Sequence, residues 1–149
     1  MQVAPMSRPL PTIADFIERG RGHLPGLIGI EITEVQGGRI ASRLPLRAEI
    51  MAPNGYLHAA TIVALADTSA GYGCLASLPE GGENFTTIEL KSNFLGTARE
   101  GAIACTASLV HGGRATQVWD AMVTEEATGK TIALFRCTQM ILYPRVSSV

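Results

Sequence analysis

Charge is sparse in this chain and neither sign prevails: 12 Lys and Arg stand against 13 Asp and Glu in 149 residues, a net charge of −1. Such a balance offers no basic patch for nucleic acid and no cationic face for an anionic membrane surface. Long hydrophobic runs are missing as well, so no segment reads as a spanning helix, and neither nucleic acid nor membrane is an expected partner. Residues 1–10 lack an apolar core ahead of a cleavage site. Without a signal pattern the cytoplasm is the expected compartment. Cysteine is scarce too: Cys74, Cys105 and Cys137 are odd in number, sit inside apolar segments and lack metal-ligand spacing. They are expected to be buried free thiols, with no metal bound.

The most telling absence is local. No Lys or Arg lies between Arg47 and Lys91, yet the apolar stretch 53–75, PNGYLHAATIVALADTSAGYGCL, carries a carboxylate at Asp67. Ile62, Val63, Leu65, Ala66, Ala70 and Leu75 surround it, with Thr61, Thr68 and Ser69 as polar company, so the helix reads as buried nearly all round. An ionised carboxylate in such a place costs several kcal/mol unless it is paired or hydrogen-bonded. An Asp on an apolar helix can instead reach a surface or cap a neighbouring element; the alternative is a carboxylate kept for chemistry.

The other end of the same helix bears on that choice. Pro53, Asn54 and Gly55 turn the chain, and the helix begins near His58. The first N–H groups, those of Ala59 and Ala60 among them, lack intrahelical acceptors and carry the positive end of the helix dipole. They can polarise a carbonyl oxygen. One element thus offers an oxyanion-binding terminus and a base, the two parts that hydrolysis of an acyl compound requires. Ala59 and Asp67 are eight residues apart, and at about 1.5 Å per residue that is roughly 12 Å along the axis. One ester-sized group cannot touch both. Two antiparallel copies of the helix across a two-fold axis bring the terminus of one chain to the Asp of the other, which predicts an active site shared at a dimer interface.

Apolar patterning supplies the frame. Ile28, Ile30 and Ile32 alternate with polar or small residues, Gly37-Gly38 turns the chain, and Ile40, Ser42, Leu44 and Leu46 follow, a hairpin. After the helix, Ile88, Leu90, Ser92 and Phe94 alternate with Thr87, Glu89, Lys91 and Asn93, and further strands are expected around 102–110, 114–124 and 130–142. Residues 13–19 read as a short amphipathic helix outside the core, and both ends of the chain as frayed. The expected architecture is α+β: one domain over residues 1–149, with a curved antiparallel sheet of five to six strands wrapped around one long central helix.

On these residues the chain resembles the hotdog-fold acyl-CoA thioesterases, in particular the phenylacetate-pathway and 4-hydroxybenzoyl-CoA thioesterase-like branch, over residues 27–143. The branch's motif is a Gly-containing loop, then His-Gly-Gly, then Leu-Ala-Asp or Leu-Ala-Glu nine residues after the His; here it reads Gly55, His58-Ala59-Ala60 and Leu65-Ala66-Asp67. The segments TTIELKSNFLGTAREG and HGGRATQVWDAMV are similar to the family's two core strands. Alanines replace the two glycines, and Ala52 stands where the family often has Gln or Asn, a task that Asn54 is placed to take.

The resemblance implies hydrolysis of acyl-CoA thioesters with aromatic or short-to-medium acyl groups, aromatic ones favoured over long chains, by a homodimer or a dimer-of-dimers tetramer. No cofactor is implied, CoA being part of the substrate. Asp67 acts as general base or as nucleophile, and the Ala59 N–H of the partner chain holds the thioester oxygen. Asn54, Gly55, His58, Thr68, Asn93, Phe94 and Arg114 make up the candidate substrate contacts, with Arg114, after Gly112-Gly113, facing the CoA phosphates. Two other classes stay open: a hotdog-fold hydratase or dehydratase, and a non-catalytic acyl-CoA-binding protein in which the two alanines mark lost activity.

Overall fold

The computed structural model describes residues 8–146. Two short helices, α1 (Ile13–Gly20) and α2 (Leu24–Ile28), lead into the hairpin of β1 (Glu31–Gln36) and β2 (Arg39–Pro45). A 3-10 turn, Ala48–Ile50, precedes the central helix α3 (Ala59–Ala76), and four strands follow: β3 (Asn84–Phe94), β4 (Ala102–Gly112), β5 (Thr116–Glu125) and β6 (Thr131–Leu142). They form one six-stranded antiparallel sheet in the order β1-β2-β4-β5-β6-β3, so β1 and β3 are its edges. The expected architecture is the observed one. The expected frayed ends fall partly on residues 1–7 and 147–149, outside the described residues.

Each strand turns alternate side chains toward α3. Ile40 and Leu44 of β2, Ile103 and Cys105 of β4, Trp119 and Val123 of β5, and Phe135 and Cys137 of β6 pack there against Ile62, Leu65, Ala66 and Ala70 of the helix. Ser42 and Ser69, buried polar residues on the two layers, satisfy each other at 2.7 Å, and Ser69 also donates to the Leu65 carbonyl. The helix lies close to the sheet because two of its turns carry no side chain. A Cβ on Gly71 would stand 2.6 Å from the Phe85 ring, and one on Gly73 would stand 2.5 Å from the Trp119 ring. Cys74, Cys105 and Cys137 are free and buried, as expected, and burial pushes each thiol up to about 12.

Four expectations are corrected. Ile28 is helical rather than the start of a strand: Pro25 opens α2, Gly29 closes it with φ +93°, and β1 begins only at Glu31. The helix at 13–19 is not outside the core, because Phe16 is buried and stacks on Tyr72 of α3 with ring centroids 4.4 Å apart. The helix α3 meets the length and apolarity of a membrane span, which the sequence reading denied, yet more than half of it is buried inside the protein. Nor is α3 buried all round. Ala59 and Ala60 are exposed and Val63, Ala64, Asp67 and Thr68 only half-buried, so one stripe of the helix is left uncovered by the described residues.

The edge strand β3 shows a related gap. A bulge between Thr87 and Glu89 breaks the expected alternation. Thr87 thereby pairs with inward-facing Gln139, while Glu89, Lys91 and Asn93 occupy the register of outward-facing Thr138, Arg136 and Leu134. On the helix side Leu90 and Phe94 are 43% and 47% exposed, since nothing among the described residues covers that end of the strand. Ser92 lies between them, its hydroxyl buried without a hydrogen-bond partner among the described residues.

Candidate active site

The loop before α3 is built to start the helix. Gly55 adopts φ +87°, the Asn54 side chain accepts from the Tyr56 N–H at 3.2 Å, and the Leu57 N–H donates to Thr97 Oγ1 at 2.9 Å. His58 is the N-cap: its Nδ1 accepts from the Ala60 N–H at 2.9 Å, which leaves Nε2 to carry the ring proton. The Thr61 N–H donates to the His58 carbonyl at 3.0 Å. Of the two donors expected at this terminus, Ala60 is therefore spent within the helix. The N–H of Ala59 donates to no group among the described residues, and its residue is exposed. A donor at the positive end of an 18-residue helix is placed to meet a developing oxyanion.

Two turns further on, Asp67 projects from the uncovered stripe toward β3. Thr87 Oγ1 donates to Asp67 Oδ1 at 3.2 Å and lies 2.8 Å from Oε1 of fully buried Gln139. No cation pairs with Asp67 among the described residues. Burial pushes its carboxyl above the ordinary carboxylate range, and the Thr87 hydroxyl pulls it part of the way back. A carboxylate so placed is a stronger base than an exposed one. The unbroken helix keeps Ala59 and Asp67 the expected distance apart, so a single chain does not bring donor and base to one acyl group.

The other predicted contacts are spread over the molecule. Asn54, Gly55 and His58 stand with Ala59 at the N-terminal end of α3, and Thr68 is half-buried beside Asp67. Phe94 is on the helix side of β3, far along the edge, whereas Asn93 lines a groove on the opposite sheet face with Arg39, Lys91 and Arg136. Arg114 tops the β4–β5 hairpin near the C-terminal end of α3, where Gln117 Nε2 donates to the Ser77 carbonyl at 2.8 Å. Its guanidinium lies 5.8 Å from the Tyr143 ring centroid, and its carbonyl accepts from the Tyr143 hydroxyl. Asp120, unexplained in the sequence, is held in a fork by Arg136 at 2.5 and 2.8 Å.

Thr87 and Gln139 are the neighbours of Asp67 that sequence reasoning missed. Strict alternation turned Thr87 away from the helix, and the bulge is not written in any turn residue. Gln139 did leave a signal: it interrupts an inward row of Ala133, Phe135, Cys137 and Ile141.

Comparison with known proteins shows the family and the fold. The family model described as thioesterase superfamily matches residues 54–132, just over half of the chain. The chain is similar to 1,4-dihydroxy-2-naphthoyl-CoA hydrolase of Listeria monocytogenes, 36% identical over 111 residues, covering 74% of this chain and 89% of the relative. In fold it is similar to a mutant of thioesterase PA1618 from Pseudomonas aeruginosa, with a TM-score of 0.86, 23% identity, and coverage of 92% of this chain and 98% of that one. The E. coli PaaI protein from the phenylacetic acid degradation operon has a TM-score of 0.73 at 23% identity, covering 83% and 86% of the two chains. The fold, the family match and the relatives agree: the chain belongs to the thioesterase superfamily and is a hotdog-fold thioester hydrolase.

Proposed function

We propose that this enzyme hydrolyses acyl-CoA thioesters carrying an aromatic acyl group, at sites shared between two chains. The observation that carries the reading is Asp67: a half-buried carboxylate with no cation beside it among the described residues, on a stripe of α3 that those residues leave open. Asp67 acts on the thioester carbon, either as general base on water or as nucleophile through a mixed anhydride. The Ala59 N–H of the partner chain stabilises the oxyanion. The aromatic preference rests on the hydroxynaphthoyl-CoA substrate in the name of the Listeria relative.

A homodimer, or a tetramer built from two such dimers, follows from the 12 Å problem set out by helix geometry. The edge of β3 supports it, with Leu90 and Phe94 exposed, and the Ser92 hydroxyl without a partner among the described residues, on the face that also holds Thr87. In that arrangement Arg114, at the Asp67 side of the molecule, binds the CoA phosphates.

Incubation with a panel of CoA thioesters, followed by detection of free thiol and of the acyl product, tests the reading. Thiol release with an unaltered acyl chain, fastest for hydroxyaromatic acyl groups, is the expected result. Hydration or dehydration of the acyl chain without thiol release contradicts it.

A further inference from the structure

The hydrogen bonds around Asp67 contain one proton too few. Thr87 Oγ1 carries a single hydrogen, yet it stands 3.2 Å from Asp67 Oδ1 and 2.8 Å from the Gln139 amide oxygen, and with Asp67 ionised, as a base or nucleophile must be, both of those oxygens accept only. The other end of that amide, Nε2, faces Cys137 Sγ at 3.4 Å, a weak acceptor. The two ends of a side-chain amide have the same shape, so partners decide which way it faces. Turned by half a rotation, the amide donates from Nε2 to Thr87 Oγ1 and accepts at Oε1 from the Cys137 thiol. The hydrogen bonds then run in one direction: Cys137 S–H to Gln139, one Gln139 N–H to Thr87, Thr87 O–H to Asp67.

We propose that Gln139 is a positioning residue for the acyl-transfer carboxylate, donating to Thr87 and so committing the only Thr87 hydroxyl proton to Asp67. The proposal rests on the assignment of Asp67 as base or nucleophile. Gln139 touches no substrate. It lies beyond the residues matched by the family model and is fully buried, and its register opposite Thr87 exists only because of the bulge in β3. Its function is to keep Asp67 ionised and aimed despite burial.

The groups facing Asp67 leave this arrangement undisturbed. On α3 and β6 the titratable neighbours are Cys74 and Cys137, neutral thiols whose burial pushes both to about 12. The charged residues of β3 and β6, Glu89, Lys91 and Arg136, belong to the far face of the sheet, and so does Asp120 of β5. Inward-facing residues of β5 near the helix, Gln117, Trp119 and Ala121, do not titrate.

The test is the acid limb of the pH profile of kcat/KM for the full-length enzyme on an aromatic CoA thioester. Gln139→Met removes the donor at similar volume, and the limb is expected to move to higher pH, lowering acid-side kcat/KM about threefold to tenfold. Thr87→Val is expected to move it likewise, and Gln139→Met added to Thr87→Val is expected to move it no further, because the amide acts through the hydroxyl. A limb that stays in place or moves down in Gln139→Met overturns the proposal, the latter because Gln139 was then taking the Thr87 proton. Independent shifts in the double variant also overturn it. Should Gln139→Met fail to fold, nuclear Overhauser contacts in the unaltered enzyme decide: the Gln139 amide protons are expected to contact the Thr87 methyl, and contacts to the Cys137 Hβ protons alone overturn the orientation. An active Asp67→Asn protein would instead remove the reading on which the proposal stands. With Asp67→Asn inactive, an unmoved limb removes the proposal alone.

Discussion

Asp67 is a residue whose position is costly to the fold. Its burial disfavours the charged form, and a single hydroxyl at 3.2 Å offsets only part of that penalty. Conversion to Asn keeps shape and removes both basicity and nucleophilicity. Turnover on CoA thioesters is expected to fall at least about a hundredfold with the fold and oligomer retained, and near-normal turnover in a folded Asp67→Asn protein would refute the assignment. The same variant is expected to be more stable at neutral pH. A carboxyl whose pKa is raised by folding imposes no penalty below its ordinary value near 3.8, and destabilises as pH rises through the folded value. Thermal melts should therefore show Asp67→Asn above wild type at pH 7, with the gap closing near pH 3.8 and below; equal melting temperatures at pH 7 would contradict a buried, unpaired charge. For Arg114, loss of a phosphate contact predicts a raised KM with kcat nearly unchanged in Arg114→Ala. Unaltered KM would move the phosphate site elsewhere, with Arg99 next, since it lies over the Tyr56 ring beside the α3 N-terminus.

At the scale of elements, the close approach of α3 to the sheet sets how the uncovered stripe is presented. Gly73→Ala gains helix propensity of about 1 kcal/mol, but its methyl meets the ring of fully buried Trp119, which is also tied through Nε1 to Gln117 at 2.8 Å. Overpacking of this kind costs about 1–3 kcal/mol. A lower denaturation midpoint is expected for Gly73→Ala, and an unchanged or higher one would mean that the helix moves off the sheet without cost. Most elements were legible in the sequence for local reasons: the Gly37-Gly38 hairpin, the start of the long helix near His58 and the order of strands about it all rest on turn and helix-start chemistry. Ile28 to Ile32 was misread because Pro25 and Gly29 close a helical turn that happens to keep apolar residues two apart. The place of Thr87 was illegible for a different reason. A bulge depends on pairing between strands 52 residues apart at Thr87 and Gln139, and no local pattern records it.

On the whole-molecule scale the proposed site needs two chains. Its donor, Ala59, stands at one end of α3, and its carboxylate lies eight residues along the same unbroken helix, separated by roughly 12 Å. The half-buried stripe of α3 and the exposed Leu90 and Phe94 of β3 are the surfaces that a second copy covers in the proposed arrangement. The direct measurement is subunit complementation between Asp67→Asn and Ala59→Pro. Proline suits the first position of α3, because His58 before it already has ψ 132°, and it removes the proposed donor while leaving the cap on Ala60. Each variant alone should be inactive. In mixed dimers one site collects both defects and the other collects none, so activity should return to a fraction of wild type as subunits exchange. If mixed dimers are shown to form and activity stays absent, each site is built within one chain and the shared site is wrong.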